Sequence, residues 1–479
     1  MNYGLVKYVL GYALRFEAIF LLLPGVTAVI YREKAGVAYA AVAVICCLLG
    51  FFCSWKRPKD TSLYAKEGFV IVSLSWLVLS LFGALPLVIS GDIPNFTDAV
   101  FEMVSGFTTT GASILPDVEA LQYSNLFWRS FSHWLGGMGV FVLMMAILPL
   151  AGGYDMNMMK AESTGPVVGK LLPKVRDTAS VLYKIYFILT VTEFVILLFW
   201  GMPVFEAMTT TFGTVGTGGF GVKADSLASY RPAIQNTVTI FMVLSGINFS
   251  AYFFILMKKP LQVLKMEDVR TYLGIILASS LLIGWNIRDL YDSVGETLRH
   301  AFFQVGSIIT TTGFATVDYE QWPEFSKMIL VCLMFIGACS GSTGGGIKVS
   351  RILILVKAIK KELNSLIHPR AVRQIFIDQH VVTDGVVHSV AIFIGLHFLI
   401  LLGSTLLISL DNFGFTTNFT AVAATINNIG PGLADVGPTM NFAGFSAFSK
   451  WILIFDMLAG RLELMPVLLL LSRNSWKKY

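Results

Sequence analysis

The sequence predicts an all-α integral membrane protein, in which four pseudo-repeats of span, pore helix, glycine turn and span surround a central pore and follow an N-terminal two-helix hairpin. Two observations lead to this fold class. Hydrophobic residues make up 55% of the 479 residues and charged residues only 14%, whereas soluble domains carry roughly 25% charged residues. In addition, a short polar phrase containing glycine recurs four times between apolar segments. The composition excludes a water-facing surface for most of the chain, and the recurrence indicates an internal repeat.

Ten apolar segments are long enough to cross a bilayer, which takes about 20 helical residues. They lie at 10–30, 37–54, 68–90, 125–150, 180–202, 235–257, 271–287, 328–356, 386–410 and 448–472. The first does not resemble a cleaved signal peptide, because Arg15 interrupts its approach and no small-residue cleavage site follows it. We therefore expect ten membrane spans.

Basic residues are concentrated in alternate connections between these spans, and by the positive-inside rule those connections face the cytoplasm. The loops 91–122 and 411–449 contain no lysine or arginine and are expected outside. Arg32 and Lys34 lie in a short outer loop and are a minor departure from the rule. The pattern predicts a multi-pass protein of the cell membrane with both termini in the cytoplasm. The cytoplasmic basic residues are Lys56, Arg57, Lys59, Lys66, Lys160, Lys170, Lys174, Arg176, Lys258, Lys259, Lys265, Arg270, Lys357, Lys360, Lys361, Arg370, Arg373, Arg473, Lys477 and Lys478.

The repeated phrase is Thr-Thr-Thr-Gly at 108–111, Gly-Thr-Gly-Gly-Phe at 216–220, Thr-Thr-Thr-Gly-Phe at 310–314 and Asn-Asn-Ile-Gly-Pro at 427–431. Before each phrase stands a stretch of about a dozen apolar or small residues, which is too short to cross a bilayer and predicts a re-entrant helix. An upstream residue aligns the copies twelve positions before one glycine. The aligned pairs are Ala99 with Gly111, Ala207 with Gly219, Ala301 with Gly313, and Asn418 with Gly430.

The alignment divides the chain into a hairpin and four repeats. We expect a transmembrane hairpin at 1–60 and pore repeats at 65–150, 180–258, 268–362 and 384–472. Irregular backbone at membrane depth is tolerated only where it is buried in protein or lines a water-filled cavity. Four such turns are therefore expected around one pore, where their carbonyl groups can replace the hydration shell of a potassium ion.

Two electrostatic features of the predicted pore favour a cation. The pore helices would direct their C-terminal ends, which carry partial negative charge, toward the centre. Acidic residues also surround the first and fourth turns, without a basic residue in either loop. An ordinary solvated outer surface is the alternative explanation of these acids. They are Asp92, Asp98, Glu102, Asp117, Glu119, Asp411 and Asp435.

A glycine-rich run at 337–346 interrupts the second span of the third repeat, and each glycine disfavours helix by about 1 kcal/mol relative to alanine. A kink or close packing of helices would explain it, but a mobile loop that gates the path below the glycine turns is the sharper hypothesis. Arg461 lies near the middle of the last span, where a charge is costly unless it faces a cavity or a partner. Glu463 or Asp456 could supply that partner. Buried polar residues such as His133, Glu193 and His397 are expected to pack or to form interhelical hydrogen bonds rather than to bind ions.

The glycine phrases, together with the hairpin and the arginine in the last span, resemble the Trk/Ktr/HKT superfamily of potassium transporters and are most similar to its Trk-type pore-forming subunit. The resemblance covers nearly the whole chain and implies potassium uptake through a selectivity filter, with a gate formed by Gly344, Gly345, Gly346 and Arg461. In relatives that admit sodium a serine can replace the first filter glycine, whereas all four positions here are glycine. The implied ion-binding residues are Thr109, Thr110, Gly111, Gly216, Thr217, Gly218, Gly219, Thr311, Thr312, Gly313, Asn428, Ile429 and Gly430.

The resemblance also implies partners. Relatives form homodimers and bind a cytoplasmic ring of nucleotide-binding regulatory subunits, so a nucleotide response would reside in another protein. The basic loops 151–179 and 357–373 could dock such a subunit or contact anionic lipid headgroups. We expect potassium and membrane lipid as ligands, no nucleic acid partner and no cofactor.

Other functions are weakly supported. Gly216, Gly218 and Gly221 match a dinucleotide-binding pattern, but that pattern requires a strand before it and a helix after it. The run 341–346 approaches a phosphate-binding loop, but Ile347 and Val349 depart from it. Catalytic histidine motifs are absent from the sequence, so we do not expect an enzyme. A symporter that couples potassium movement to sodium or protons is the remaining alternative.

Overall fold

The computed structural model describes residues 1–58, 65–139, 175–370, 373–378 and 380–477. Almost all regular structure in these ranges is helical, as the sequence predicts. The exception is a small antiparallel hairpin of β1 (Ile375–Ile377) and β2 (His380–Val382). The predicted span 125–150 and the basic loop 151–179 extend into residues outside the described ranges.

The N-terminal hairpin packs backbone against backbone. Its first arm is α1 (Tyr3–Phe20) continued by α2 (Leu22–Tyr31), and its second is α3 (Ala35–Ser54). A Cβ atom added to Gly11 would lie 2.8 Å from the carbonyl oxygen of Gly50, and the reverse holds for Gly50. Two facing glycines thus allow the close helix contact that small residues provide in membranes.

Each of the first two repeats has a long span, a short pore helix and a second span. In the first repeat these are α4 (Ala65–Ser90), α5 (Phe96–Phe107) and α6 (Tyr123–Met138). In the second repeat they are α7 (Val175–Phe199), α8 (Val204–Gly216), and a pair formed by α9 (Pro232–Ser245) and α10 (Phe249–Leu256). Helices α9 and α10 meet at 92°, so this second span is bent.

The third and fourth repeats follow the same order. A short helix α11 (Pro260–Lys265) leads into the third repeat, which contains α12 (Glu267–Asn286), α13 (Val294–Ile309), α14 (Glu324–Ile336) and α15 (Val349–Ile367). The fourth contains α16 (Asp384–Ile408), α17 (Phe415–Ile426), α18 (Ala447–Arg461) and α19 (Met465–Leu471).

Fewer continuous spans than the sequence predicts are found among the residues that the structure describes. In the described part of the chain, five helices are long and apolar enough to cross a membrane, and the bent pair α9–α10 is a sixth candidate. The interruption that the sequence predicts within 328–356 is present, whereas the prediction of a continuous span at 448–472 is wrong. The first is broken between Ile336 and Val349 by the glycine-rich run, and the second at Glu463 and Leu464, whose φ angles of 63° and 49° are left-handed. The five helices are Tyr3–Tyr31, Ala35–Ser54, Lys66–Ser90, Asp177–Phe199 and Asp384–Asp411.

The pore helices form the buried centre of the molecule. Helix α5 is buried continuously from Ala99 to Phe107, and α17 from Thr420 to Ile426. Polar caps fix where two of them begin, since Asn95 accepts hydrogen bonds from the first turn of α5 and Ser293 caps α13. The irregular turns that follow these helices therefore lie inside the protein, where membrane lipid does not reach them.

Candidate functional site: the ring of glycine turns

The four glycine turns share one backbone conformation. Two residues before each aligned glycine, the chain adopts a left-handed conformation that costs a non-glycine residue about 1–2 kcal/mol. The glycine itself also has a positive φ, which favours glycine over other residues. The first set is Thr109 (55°), Thr217 (55°), Thr311 (58°) and Asn428 (55°), and the second is Gly111 (79°), Gly219 (77°), Gly313 (87°) and Gly430 (97°).

Each pore helix ends with an equivalent backbone hydrogen bond. The amide of the residue before the aligned glycine donates to the carbonyl oxygen five residues upstream, as in a helix C-terminal cap. The four bonds are Thr110 to Ser105 (2.9 Å), Gly218 to Gly213 (2.8 Å), Thr312 to Ser307 (2.8 Å) and Ile429 to Ala424 (2.8 Å). The repeats are therefore equivalent in backbone geometry although their sequences differ.

The four turns contact one another in a closed ring. A Cβ atom added to Gly111 would lie 2.1 Å from the carbonyl oxygen of Gly218, in the second turn. The same relation joins Gly219 to Thr312 (1.9 Å), Gly313 to Ile429 (2.2 Å) and Gly430 back to Thr110 (2.7 Å). Each glycine thus meets the residue before the glycine of the next repeat, and the fourth repeat returns to the first.

The aligned glycines face one shared cavity of about 140 Å³, which Gly111, Gly219, Gly313 and Gly430 all line. Gly216 has a different place, because it is the last residue of helix α8 and precedes the left-handed Thr217. The three other residues at the equivalent position, Thr108, Thr310 and Asn427, likewise come directly after or at the end of their helices. The register given by the upstream alanine therefore coincides with the register of the ring.

Side chains stabilise the turns differently around the ring. Thr108 and Thr110 join their hydroxyl groups over 2.7 Å, and Thr310 and Thr312 repeat this contact at the same distance. In the fourth turn, the amide group of Asn428 donates to the Thr110 hydroxyl and to the Met457 carbonyl, each over 2.9 Å. Asn428 thereby links the last repeat to the first.

The glycine-rich segment between α14 and α15 touches the turns at residues that do not line the shared cavity. The Gly345 amide donates to the Thr311 hydroxyl over 2.6 Å. A Cβ atom on Gly344 would lie 2.9 Å from the Thr310 carbonyl oxygen, and one on Gly345 would lie 2.7 Å from that of Asn427. This segment, residues 337–348, is called the glycine loop below.

The guanidinium group of Arg461 joins three parts of the site and is buried. It donates to the Thr343 carbonyl of the glycine loop over 2.8 Å and to the Thr109 hydroxyl of the first turn over 3.3 Å. It also donates to the carbonyl oxygens of Gly136 and Gly137 at the end of α6. The neighbouring acids have partners of their own, since Glu463 pairs with Arg351 and Asp456 accepts a hydrogen bond from Ser404.

Comparison with models of protein families shows which family the chain belongs to. The profile of TrkH, described as a cation transport protein, matches residues 36–478. The chain belongs to the TrkH family. Membership confirms the resemblance found in the sequence and identifies a transport protein rather than an enzyme.

Relatives of this TrkH-family chain match it over its full length. The Trk system potassium uptake protein TrkH of Salmonella typhimurium is 38% identical, with 100% of both chains covered. The protein of the same description from Escherichia coli is 37% identical over the same share. The crystal structure of the potassium transporter TrkH from Vibrio parahaemolyticus superposes with a TM-score of 0.89 at 34% identity and covers 100% of both chains.

The acidic residues around the first and fourth turns of this TrkH-family chain were expected to lack basic partners, and this expectation is wrong for two of them. Glu102 is fully buried and forms an ion pair of 2.7 Å with Arg129. Asp98 pairs with Lys450 over 2.6 Å. Both basic residues lie on neighbouring helices rather than in the loops, so a search of the loops alone missed them. The charged residues that line the shared cavity are Arg129 and Lys223.

Sequence reasoning did not recognise Arg129 and Lys348 as buried basic residues. Arg129 lies in α6 and follows the same rule that singled out Arg461, namely that an intramembrane charge needs a partner, so the signal was present. Lys348 ends the glycine loop, is fully buried and donates to the Gly344 carbonyl within the same loop. Its position was considered only as a departure from a phosphate-binding pattern.

Proposed function

We propose that this chain takes up potassium ions across the cell membrane, with the ring of glycine turns as its selectivity filter. The supporting observation is the closure of the ring, in which the four aligned glycines contact carbonyl groups of the next repeat in cyclic order. Such closure brings backbone oxygens from four segments to one axis, the arrangement that substitutes for the water around a potassium ion. The names of the relatives agree with this cation.

In this mechanism an ion enters the shared outer cavity and loses water to carbonyl groups of the filter turns. The four pore helices end beside these turns, and their C-terminal partial charges favour a cation. The membrane potential contributes about 2.3 kcal/mol per charge for each 100 mV, which drives inward movement. The proposed filter residues are Thr109, Thr110, Gly111, Gly216, Thr217, Gly218, Gly219, Thr311, Thr312, Gly313, Asn428, Ile429 and Gly430.

The glycine loop and Arg461 form the proposed gate. The loop contacts the third and fourth turns through Gly344 and Gly345, and Arg461 donates to the loop at Thr343. A fixed positive charge beside the filter opposes the passage of a second cation, and a loop in van der Waals contact with the turns leaves little room for one. Opening requires both to move away from the filter, with Gly346 contributing a left-handed φ of 76° at the end of the glycine run.

We also propose the orientation and assembly that the sequence and its family resemblance imply. Basic residues in alternate connections support cytoplasmic termini. The proposed homodimer and its cytoplasmic nucleotide-binding ring rest on the resemblance to Trk-type subunits alone. Symport with sodium or protons remains the competing mechanism. Purified protein that passes potassium down its gradient without a second ion would contradict symport.

The test is cation competition in proteoliposomes, with potassium, rubidium, sodium and lithium. We expect potassium and rubidium to pass and sodium and lithium to be excluded. Gly111→Ser should weaken this selectivity, because its Cβ atom would lie 2.1 Å from the Gly218 carbonyl oxygen. Gly91→Ser is the matched control, since Gly91 has a φ of 85° but no atom within 4 Å of an added Cβ. Equal passage of sodium and potassium by the wild type would contradict the proposed function.

A further inference from the structure

The second filter turn lacks the side-chain brace of its neighbours. The first and third turns each carry two threonines whose hydroxyl groups meet at 2.7 Å, namely Thr108 with Thr110 and Thr310 with Thr312. The second turn has glycine at both equivalent positions, Gly216 and Gly218. Its main chain therefore has the most conformational freedom and no hydroxyl pair to restrict it.

His133 on α6 occupies the place of the missing side chains. A Cβ atom added to Gly218 would lie 2.1 Å from the Cγ atom of the His133 ring. Gly216 is close to the main chain of the same residue, because its added Cβ would lie 2.5 Å from the His133 carbonyl oxygen. Gly218 is thus required by the imidazole of His133, and Gly216 by the main chain of the same residue, which belongs to the first repeat. The imidazole also lies against Phe220, with ring centroids 4.2 Å apart.

Both ring nitrogens of His133 have backbone partners. Nδ1 lies 2.8 Å from the Gly106 carbonyl oxygen, and Nε2 lies 3.2 Å from the Phe220 amide nitrogen. A carbonyl oxygen only accepts and an amide N–H only donates, so Nδ1 must carry the proton and Nε2 must accept. The side chain is fully buried, and these two bonds fix its tautomer and orientation.

The two partners belong to different repeats. Gly106 lies in the last turn of pore helix α5, whereas Phe220 directly follows the second filter glycine, Gly219. The imidazole therefore ties the second filter turn to the first pore helix. Holding the Phe220 amide restricts the peptide that contains the Gly219 carbonyl group, because this carbonyl and the Phe220 N–H belong to the same planar unit.

We propose that His133 is a positioning residue for ion selectivity, which holds the glycine-only second filter turn in register with the other three. The proposal rests on the proposed function. His133 contacts no ion; it acts through the Phe220 amide and through the volume that its ring fills beside Gly218. Selectivity for potassium over sodium should therefore depend on the Nε2 acceptor more than on the Nδ1 donor.

Two amide side chains separate these contributions. His133→Gln can place its terminal oxygen near the Nε2 position and still accept from Phe220, whereas His133→Asn places its amide near Nδ1 and reaches only Gly106. We expect His133→Asn to lower the potassium-to-sodium flux ratio in proteoliposomes by about tenfold, the effect of one hydrogen bond. His133→Gln should keep the ratio within about twofold of the wild type by the same reasoning.

A matched pair at another buried histidine controls for general damage to the fold. His397 lies on α16, and its Nε2 atom is buried without a hydrogen-bond partner in the described part of the chain. His397→Asn and His397→Gln should leave the flux ratio unchanged. A wild type that does not discriminate between the ions would contradict the proposed function, whereas a selective wild type with equal ratios in His133→Asn and His133→Gln would overturn the role of His133.

A compensating pair provides a second test, which does not depend on the amide variants. Gly218→Thr alone should abolish selectivity or assembly, because its Cβ atom would overlap the His133 ring. In the His133→Ala background the same threonine has room, and the double variant should recover folding and part of the flux ratio relative to Gly218→Thr. Elution of the purified variants as single species, followed by the same flux assay, measures both effects. Failure of His133→Ala to improve Gly218→Thr would overturn the proposed packing role.

Discussion

Arg461 donates a hydrogen bond to the carbonyl oxygen of Thr343, and this 2.8 Å contact joins the last span to the glycine loop. The same guanidinium group reaches the first filter turn at Thr109. One side chain therefore connects a filter turn to the segment that we propose as the gate. In the proposed gate, its charge and its hydrogen bonds would both favour the closed arrangement.

Removing the arginine should increase potassium flux. A unit charge about 8 Å from a passing ion, at an effective dielectric constant of about 20, raises the barrier by about 2 kcal/mol. We therefore expect Arg461→Ala to raise the flux in proteoliposomes roughly 30-fold. Arg461→Lys keeps the charge and should give a much smaller increase, and Arg288→Ala on the exposed surface should give none. Unchanged flux in Arg461→Ala would exclude the arginine from the gate.

A methyl group on the glycine loop should weaken the closed state. The Cβ atom of Gly345→Ala would lie 2.7 Å from the Asn427 carbonyl oxygen and 3.0 Å from the Asn428 Cβ atom. Overpacking of this kind costs about 1–3 kcal/mol, so uptake should rise roughly fivefold or more. Gly274→Ala is the control, because no atom lies within 4 Å of its added Cβ. Potassium uptake by cells that lack other uptake systems provides the measurement, and a decrease would argue against the gate.

The buried pair of Glu102 and Arg129 should be essential for stability. Removing one partner of a buried ion pair typically costs about 3–5 kcal/mol, because the other charge is left in a medium of low polarity. We expect Glu102→Gln to lower the unfolding temperature in detergent more than Asp98→Asn does, since the Asp98 side chain is partly exposed (25%) and the Glu102 side chain is not (0%). Adding Arg129→Gln to Glu102→Gln should recover part of the loss. A double variant that is no more stable than Glu102→Gln would show that the charge pairing is not the cause.

The link from Asn428 to the first repeat should also be measurable. Asn428→Asp keeps the size of the side chain but removes the donor that bonds Thr110 and Met457. Leaving these groups without their donor costs about 1–3 kcal/mol, and the ratio of potassium to sodium flux should fall. Asn412→Asp provides a control for backbone conformation, because Asn412 has a φ of 59° close to the 55° of Asn428. The flux ratio is measured in proteoliposomes, and an equal fall in the two variants would contradict a specific role for Asn428.

The local features of the filter could be predicted from the sequence, because they depend on short-range residue order. A glycine at the end of a short polar phrase favours a turn, because glycine readily adopts positive φ, and the upstream alanine gave the register that includes Gly219. The fourth turn also differs in sequence, since Asn427 and Ile429 stand where the first and third turns carry the two threonines of the hydroxyl pair. Each of these conclusions needed only residues within about one pore helix of the glycine.

Contacts between distant segments could not be predicted from the sequence. Arg129 lies 27 residues from Glu102, and Lys450 lies 352 residues from Asp98, so no local pattern pairs them. The break in the span 448–472 was missed for another reason. Hydropathy averages over a window and does not respond to the conformation of single residues such as Glu463 and Leu464. The role of His133 could not be predicted for the same reason as the ion pairs. Its imidazole meets Gly218 only because α6 packs against the second turn.

The cyclic contact of the four turns occurs within one polypeptide, with the fourth repeat returning to the first. Every copy of the chain therefore contains a complete ring, and no quadrant can be replaced by another molecule. In a cell that produces both an active and an inactive form, the two cannot mix within one path. Uptake should then decline in proportion to the fraction of inactive chains. In a pore assembled from four separate subunits, by contrast, one inactive subunit can inactivate the whole pore, so uptake would decline more steeply.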